Sequence, residues 1–275
     1  MDFSNYKFGL RGHDIANNFD DMCRIAKETG VPNLQFALAR TVNNINFDEI
    51  GYDDALAKKI KTQLDEHDLT VSVLGCYINP IDQNPDSLKV QLKRFENFIR
   101  YAAVFDARVI GTETGSLGSL EATRSEENYQ FLLGNLRPLV KVAEECGVTM
   151  AIEPVWQFTI YSVEVMKRLL DDIDSNNLAV ILDMSNITVA ENLHEQDETI
   201  NKAFDILGDK IYAVHVKDFT INGDEKKFAT TCTGQLNIKL LFERMNGLKK
   251  LPDIILDELP VASYNTALEN LKKIL

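Results

Sequence analysis

The chain has 275 residues and carries 29 Lys and Arg against 42 Asp and Glu, a formal charge of −13. That balance argues against a nucleic-acid partner, which is held through clustered Lys and Arg. Hydrophobic content of 45% and charged content of 26% suit one globular core, and no run reaches the roughly 18 apolar residues of a membrane span. The N-terminal MDFSNYKFGL lacks the basic flank and apolar stretch of a signal peptide, and Cys23, Cys76, Cys146 and Cys232 form no Cys-x-x-Cys pair. A reduced, cytoplasmic protein with no membrane partner is expected.

Short apolar runs read as strands near 7–12, 33–38, 70–76, 107–112, 148–153, 178–183, 211–216 and 253–258. They are apolar on both faces, as parallel strands buried on both sides should be. Helical periodicity fills the gaps at about 18–29, 52–67, 86–104, 125–146, 162–173, 197–207, 236–247 and 263–274. In 86–104 the residues Leu88, Leu92, Phe95, Ile99 and Ala102 share one face. Pro138 should kink or break the fourth helix. Eight strand–helix units in strict alternation predict an α/β fold, a (β/α)₈ barrel in one domain over 1–275. An open doubly wound sheet is disfavoured because no Gly-x-Gly-x-x-Gly follows the first strand. The long loops 77–85, 113–122 and 217–235 follow strands, so they belong to the face that carries the site in such barrels.

Four residues close successive strand runs: Glu153 after VTMAI, Asp183 in LAVILD, His215 in IYAVHV and Glu258 in DIILDE. Three acids on neighbouring strand ends repel unless a cation joins them. With one imidazole they suit a divalent ion, Mn²⁺ foremost, with Mg²⁺, Co²⁺ or Zn²⁺ as alternatives. Around this metal set His13 faces substrate or bonds at a helix start, and Arg11 orients substrate or pairs with a rim acid. Glu113 lies at the following mouth position of the fourth strand. Trp156 walls a sugar or packs in the core, Asn186 binds a hydroxyl or shapes a turn, and Lys217 enters the pocket or pairs with an acid.

The strings AIEP at 151–154, LDMSN at 182–186, HVKD at 215–218 and LDE at 256–258 resemble the xylose isomerase-like barrel superfamily. Within it they look like the sugar and sugar-phosphate isomerase/epimerase group that includes tagatose 3-epimerase-like enzymes. The segment CTGQLNI at 232–238 is similar to that group's glycine-rich loop, with Cys232 or Thr233 where a further glycine is expected. The resemblance implies Glu153, Asp183, His215 and Glu258 as metal ligands, Glu153 and Glu258 as the two proton-transfer groups, and a homodimer. Asn186 departs from the histidine many relatives carry there. The superfamily's abasic-site endonucleases use a histidine-rich three-zinc cluster, which a chain with four histidines and a −13 charge does not match.

The chemistry agrees with this resemblance. Moving a proton beside a carbonyl takes an electrophile on the oxygens and a base at the carbon. The expectation is a divalent-metal-dependent isomerase or epimerase of a sugar or sugar phosphate, working through a metal-bound cis-enediolate. An inosose dehydratase-like lyase and a non-catalytic sugar-binding barrel are the alternatives.

Overall fold

In the computed structural model, which describes residues 3–275, eight parallel strands close into a barrel. They are β1 (Phe8–Arg11), β2 (Asn33–Phe36), β3 (Thr70–Gly75), β4 (Val109–Thr112), β5 (Met150–Ile152), β6 (Leu178–Asp183), β7 (Ile211–Val216) and, after the two-stranded ribbon β8 (Asp218–Asn222) and β9 (Glu225–Ala229), β10 (Asp253–Leu256). β1 pairs with both β2 and β10, which closes the ring in the order β1-β10-β7-β6-β5-β4-β3-β2. Met1 and Asp2, the start of the expected 1–275 domain and of the N-terminal stretch, lie outside the described residues. No described helix is long and apolar enough to cross a membrane.

The helices around the ring start where the sequence offers a cap. Asn18, Asp53, Asn84, Ser125, Ser162 and Asn237 each accept a backbone N–H from the first turn they precede. Two of them end on a left-handed glycine, Gly30 and Gly147. Pro138 does not break its helix: Glu126–Cys146 runs through it. The carbonyl that loses its N–H partner belongs to Gly134, where no side chain adds to the crowding.

Inside the ring the side chains alternate, and this alternation positions the site. Val73, Val109, Ala151, Ala179, Ile181 and Ala213 pack against one another within the barrel. Gly111 joins this layer, since a Cβ there would lie 2.6 Å from the Ile181 Cδ1 and 2.8 Å from the Val73 Cγ1. Two residues further along each strand the next inward positions are Glu153 after Ala151, Asp183 after Ile181, and His215 after Ala213. Register fixes their heights: Asp183 pairs with His215, and His215 with Ile255.

The loop 217–235 contains a hairpin instead of irregular chain. β8 and β9 pair antiparallel around Gly223 and Asp224, with Asn222 opposite Glu225. The two-residue loop is Gly223-Asp224, with φ 59° at Gly223, a glycine-first hairpin turn. Asp218 anchors the hairpin's base: its carboxylate accepts N–H groups from Phe219, Gly234 and Leu236. A Cβ on Gly234 would lie 2.3 Å from Asp218 Oδ1, so a glycine is required for that approach.

Candidate active site

A cavity of about 260 Å³ opens at the C-terminal end of the barrel strands. Its lining includes His13, Glu113, Glu153, Asn186, His215 and Lys217, along with Arg11, Gln35, Arg40, Tyr77, Val155, Asp257 and Glu258. Of the residues expected there, Trp156 is elsewhere. It lines a neighbouring cavity of about 510 Å³, with the Arg124 guanidinium 4.4 Å above its ring. Its backbone N–H donates to the Asn186 carbonyl, which directs the chain away from the mouth.

Glu153, Asp183 and His215 are buried and bring one ligand atom each to within 4.8 Å of one another. His215 Nδ1 stands 3.3 Å from Glu153 Oε1 and 3.7 Å from Asp183 Oδ2. Asp183 Oδ2 and both imidazole nitrogens are buried without a hydrogen-bond partner among the described residues. Buried polar atoms are normally satisfied, and two carboxylates with an imidazole form a donor set that divalent ions accept. The residues present therefore fit a metal ion.

Glu258 is not in this group. The alternation that turns His215 and Ile255 inward turns Asp257 inward as well, whereas Glu258, beyond the end of β10 at Leu256, lies on the rim of the same cavity. Its backbone is left-handed (φ 53°), and its carboxylate accepts from Arg11 Nη1 at 3.0 Å. Asp257 is the inward acid: it is buried, with Oδ2 3.9 Å from His215 Nδ1. Arg11 Nε holds its other oxygen at 2.7 Å, so Arg11 pairs with rim acids, Asp14 included.

Lys217 is buried beside these acids. Its Nζ lies 2.9 Å from Asp183 Oδ2, at ion-pair distance without hydrogen-bond alignment, and 3.1 Å from Asp257 Oδ2. It also donates to Asn186 Oδ1 at 2.9 Å, while Asn186 Nδ2 donates to Glu153 Oε1 at 2.6 Å. Asn186 thus links the two charged groups through one amide.

The charges offset one another. Burial alone would depress His215, but Glu153, Asp183 and Asp257 outweigh it and push it up to about 10. Burial would likewise depress Lys217, yet Asp183 and Asp257 hold it well above the usual lysine range. Burial would raise Asp183, and the nearby Lys217 and His215 charges instead hold it below the usual carboxylate range. At Glu113 the Lys217 and His215 charges are outweighed. Burial, then the Glu153 charge, push it up to about 7.

A family model described as a xylose isomerase-like TIM barrel matches residues 23–274. Among solved structures, a D-tagatose 3-epimerase-like protein superposes with a TM-score of 0.77 at 20% identity, covering 98% of this chain and 96% of the other. A xylose isomerase-like TIM barrel protein from Mycobacterium smegmatis in complex with magnesium gives 0.77 at 13% identity, over 100% and 99%. The IOLI protein with a bound zinc atom gives 0.71 at 14%, over 98% and 96%. At these identities the structural likeness establishes the fold. No curated protein sequence matches the chain.

Proposed function

Because the chain belongs to the xylose isomerase-like TIM barrel family, we propose that it is a divalent-metal-dependent isomerase or epimerase of a small carbohydrate. One observation carries the reading: Glu153, Asp183 and His215 converge, with Asp183 Oδ2 and both imidazole nitrogens buried and making no hydrogen bond to the described residues. These three residues would hold the ion, with Asp257 in the role expected of Glu258. Magnesium and zinc occur in the structural neighbours, and the oxygen-rich set suits manganese as well.

When bound, the metal would draw electron density from the substrate's carbonyl and so acidify the adjacent carbon. The chain's own residues do the rest. Glu153 removes the proton, held in position by the Asn186 amide at 2.6 Å. Lys217, buried against Asp183, presents an ammonium to the oxygen on which charge develops. An isomerase returning the proton to the same face needs only Glu153. An epimerase needs a second carboxylate, and Asp257 supplies it from the end of β10. The cavity lies just under the usual size range of ligand pockets, in keeping with a small substrate.

A dehydration on the same residues is a second reading, favoured by Glu113, which lines the cavity and is pushed up to about 7, so that near neutrality it can donate a proton to a departing hydroxide. One experiment tests both readings: metal-loaded protein is incubated with a ketose panel in deuterium oxide and followed by NMR and ultraviolet absorbance. Carbon-bound deuterium with wild type and none with Glu153→Gln supports the isomerase, whereas an absorbing enone supports the lyase. Metal bound, with neither signal across the panel, counts against both.

A further inference from the structure

The chain has ten arginines, and the guanidinium groups of nine have partners among the described residues. Seven are ion-paired with Asp or Glu, while Arg124 and Arg137 donate to backbone carbonyls. The tenth is Arg40, whose guanidinium makes no hydrogen bond, ion pair or ring contact with the described residues, and it lines the active-site cavity. Arg40 is exposed at that mouth, so its guanidinium is hydrated and, with no acid partner, free to meet an anion entering the cavity.

Its surroundings point to a ligand. Arg40 sits on the short helix Leu38–Thr41 that follows β2, and His13 sits on Gly12–Ile15 after β1. Both line the same cavity, and His13 Nδ1 is buried without a hydrogen-bond partner. Burial, then the nearby Arg11 charge, lower His13, with Arg40 adding to the effect, so its ring is neutral near pH 7 and has one N–H to donate. Arg11 cannot serve, since Asp14, Asp257 and Glu258 already engage it. In the strand order β1 and β2 lie across the ring from β5 and β6, which carry Glu153 and Asp183. A substrate reacting beside those acids therefore extends its far end towards Arg40 and His13.

We infer that this side of the cavity is an anion subsite, and that the substrate is a carbohydrate with a phosphate or carboxylate at the end remote from the reacting carbon. Arginine's planar fork of donors suits either group. The inference rests on the proposed reading of the site, and the test separates the two.

Metal-loaded wild-type, R40Q and R40K proteins are titrated calorimetrically with dihydroxyacetone and with dihydroxyacetone phosphate. The pair is achiral and differs only in the anionic end. Wild type should bind the phosphate about 10- to 100-fold more tightly. That ratio should fall towards unity in R40Q and be partly kept in R40K. Competition against dihydroxyacetone phosphate by inorganic phosphate or by acetate then tells a sugar phosphate from a sugar acid, whichever ion displaces it better. Equal wild-type affinities, including none detectable for either, overturn the inference, as does an unchanged ratio in R40Q. Deuterium exchange on the ketose panel is measured alongside. Selectivity through Arg40 without exchange removes the isomerase reading alone, and exchange with a ratio of unity removes the anion subsite alone.

Discussion

Lys217 and Asp257 leave adjacent strands at matching heights, two residues beyond the His215–Ile255 pair, and their charged groups meet 3.1 Å apart. The same ammonium stands 2.9 Å from Asp183, so without a metal ion it is the lysine that keeps two buried carboxylates together. A bound ion would take over part of that work.

Lys217→Met should therefore destabilise the protein most when metal is absent. Removing one partner from a buried ion pair typically costs about 3–5 kcal/mol. In chelator the variant should melt well below wild type, and saturating Mn²⁺ or Mg²⁺ should recover more of its melting temperature than it adds to wild type. Differential scanning fluorimetry in both conditions checks this. An equal loss with and without metal would show that Lys217 and the ion do not serve the same carboxylates.

Metal binding should be tied to protons through His215. The carboxylates around it push the imidazole up to about 10, so it is charged near pH 7 and must lose a proton to become a ligand. Below that value apparent affinity should rise about tenfold per pH unit. At pH 7, titration in buffers of different ionisation enthalpy should reveal about one proton released per ion bound. Release of none would remove His215 from the ligand set.

Glu113 should make the metal-free protein less stable as pH rises. Its folded value is about 7 against an ordinary 4.5, so between those limits the native state binds the extra proton. The Glu113 contribution to stability is therefore greatest below about 4.5, declines towards 7 and levels off above. Glu113→Gln should flatten that decline and be the more stable protein at pH 8, by roughly 2–3 kcal/mol after allowing for partial solvent screening. Urea midpoints in chelator at pH 5 and pH 8 measure it. Parallel curves for the two proteins would mean that the carboxyl is well hydrated.

The barrel was legible because eight strands buried on both faces give apolar runs, and capped helices of clear periodicity separate them. The same burial hid a detail that matters. In DIILDE both faces are apolar, so the run does not tell which of Asp257 and Glu258 points inward, and the strand-end position and the resemblance of LDE favoured the glutamate. The pairing of Ile255 with His215 is what puts Asp257 on the inward side. Arg40 was hidden differently, since residues 33–38 read as one strand, whereas β2 stops at Phe36 and a helical turn from Leu38 carries the arginine to the cavity. The segment 217–235, read as a loop, conceals a hairpin unless the Gly223-Asp224 dipeptide is given weight as a two-residue turn.

The inward side of Asp257 yields the sharpest test of the site, in which two neighbouring acids should behave differently. Asp257 is buried 3.9 Å from His215 Nδ1, between Arg11 and Lys217. Glu258 is partly exposed, its side chain 38% accessible, and among the described residues its carboxylate pairs with Arg11. Asp257→Asn should weaken metal binding by about 10- to 100-fold, the range for groups that ligate or directly support a ligand. It should lower deuterium exchange with it. Glu258→Gln breaks one solvent-screened pair and should change metal affinity only a few-fold. Both variants are titrated with Mn²⁺ by calorimetry, and their folding is compared by circular dichroism. The reverse ranking, with Glu258→Gln the more damaging, would mean that the β10 end rearranges around the ion and brings the glutamate in.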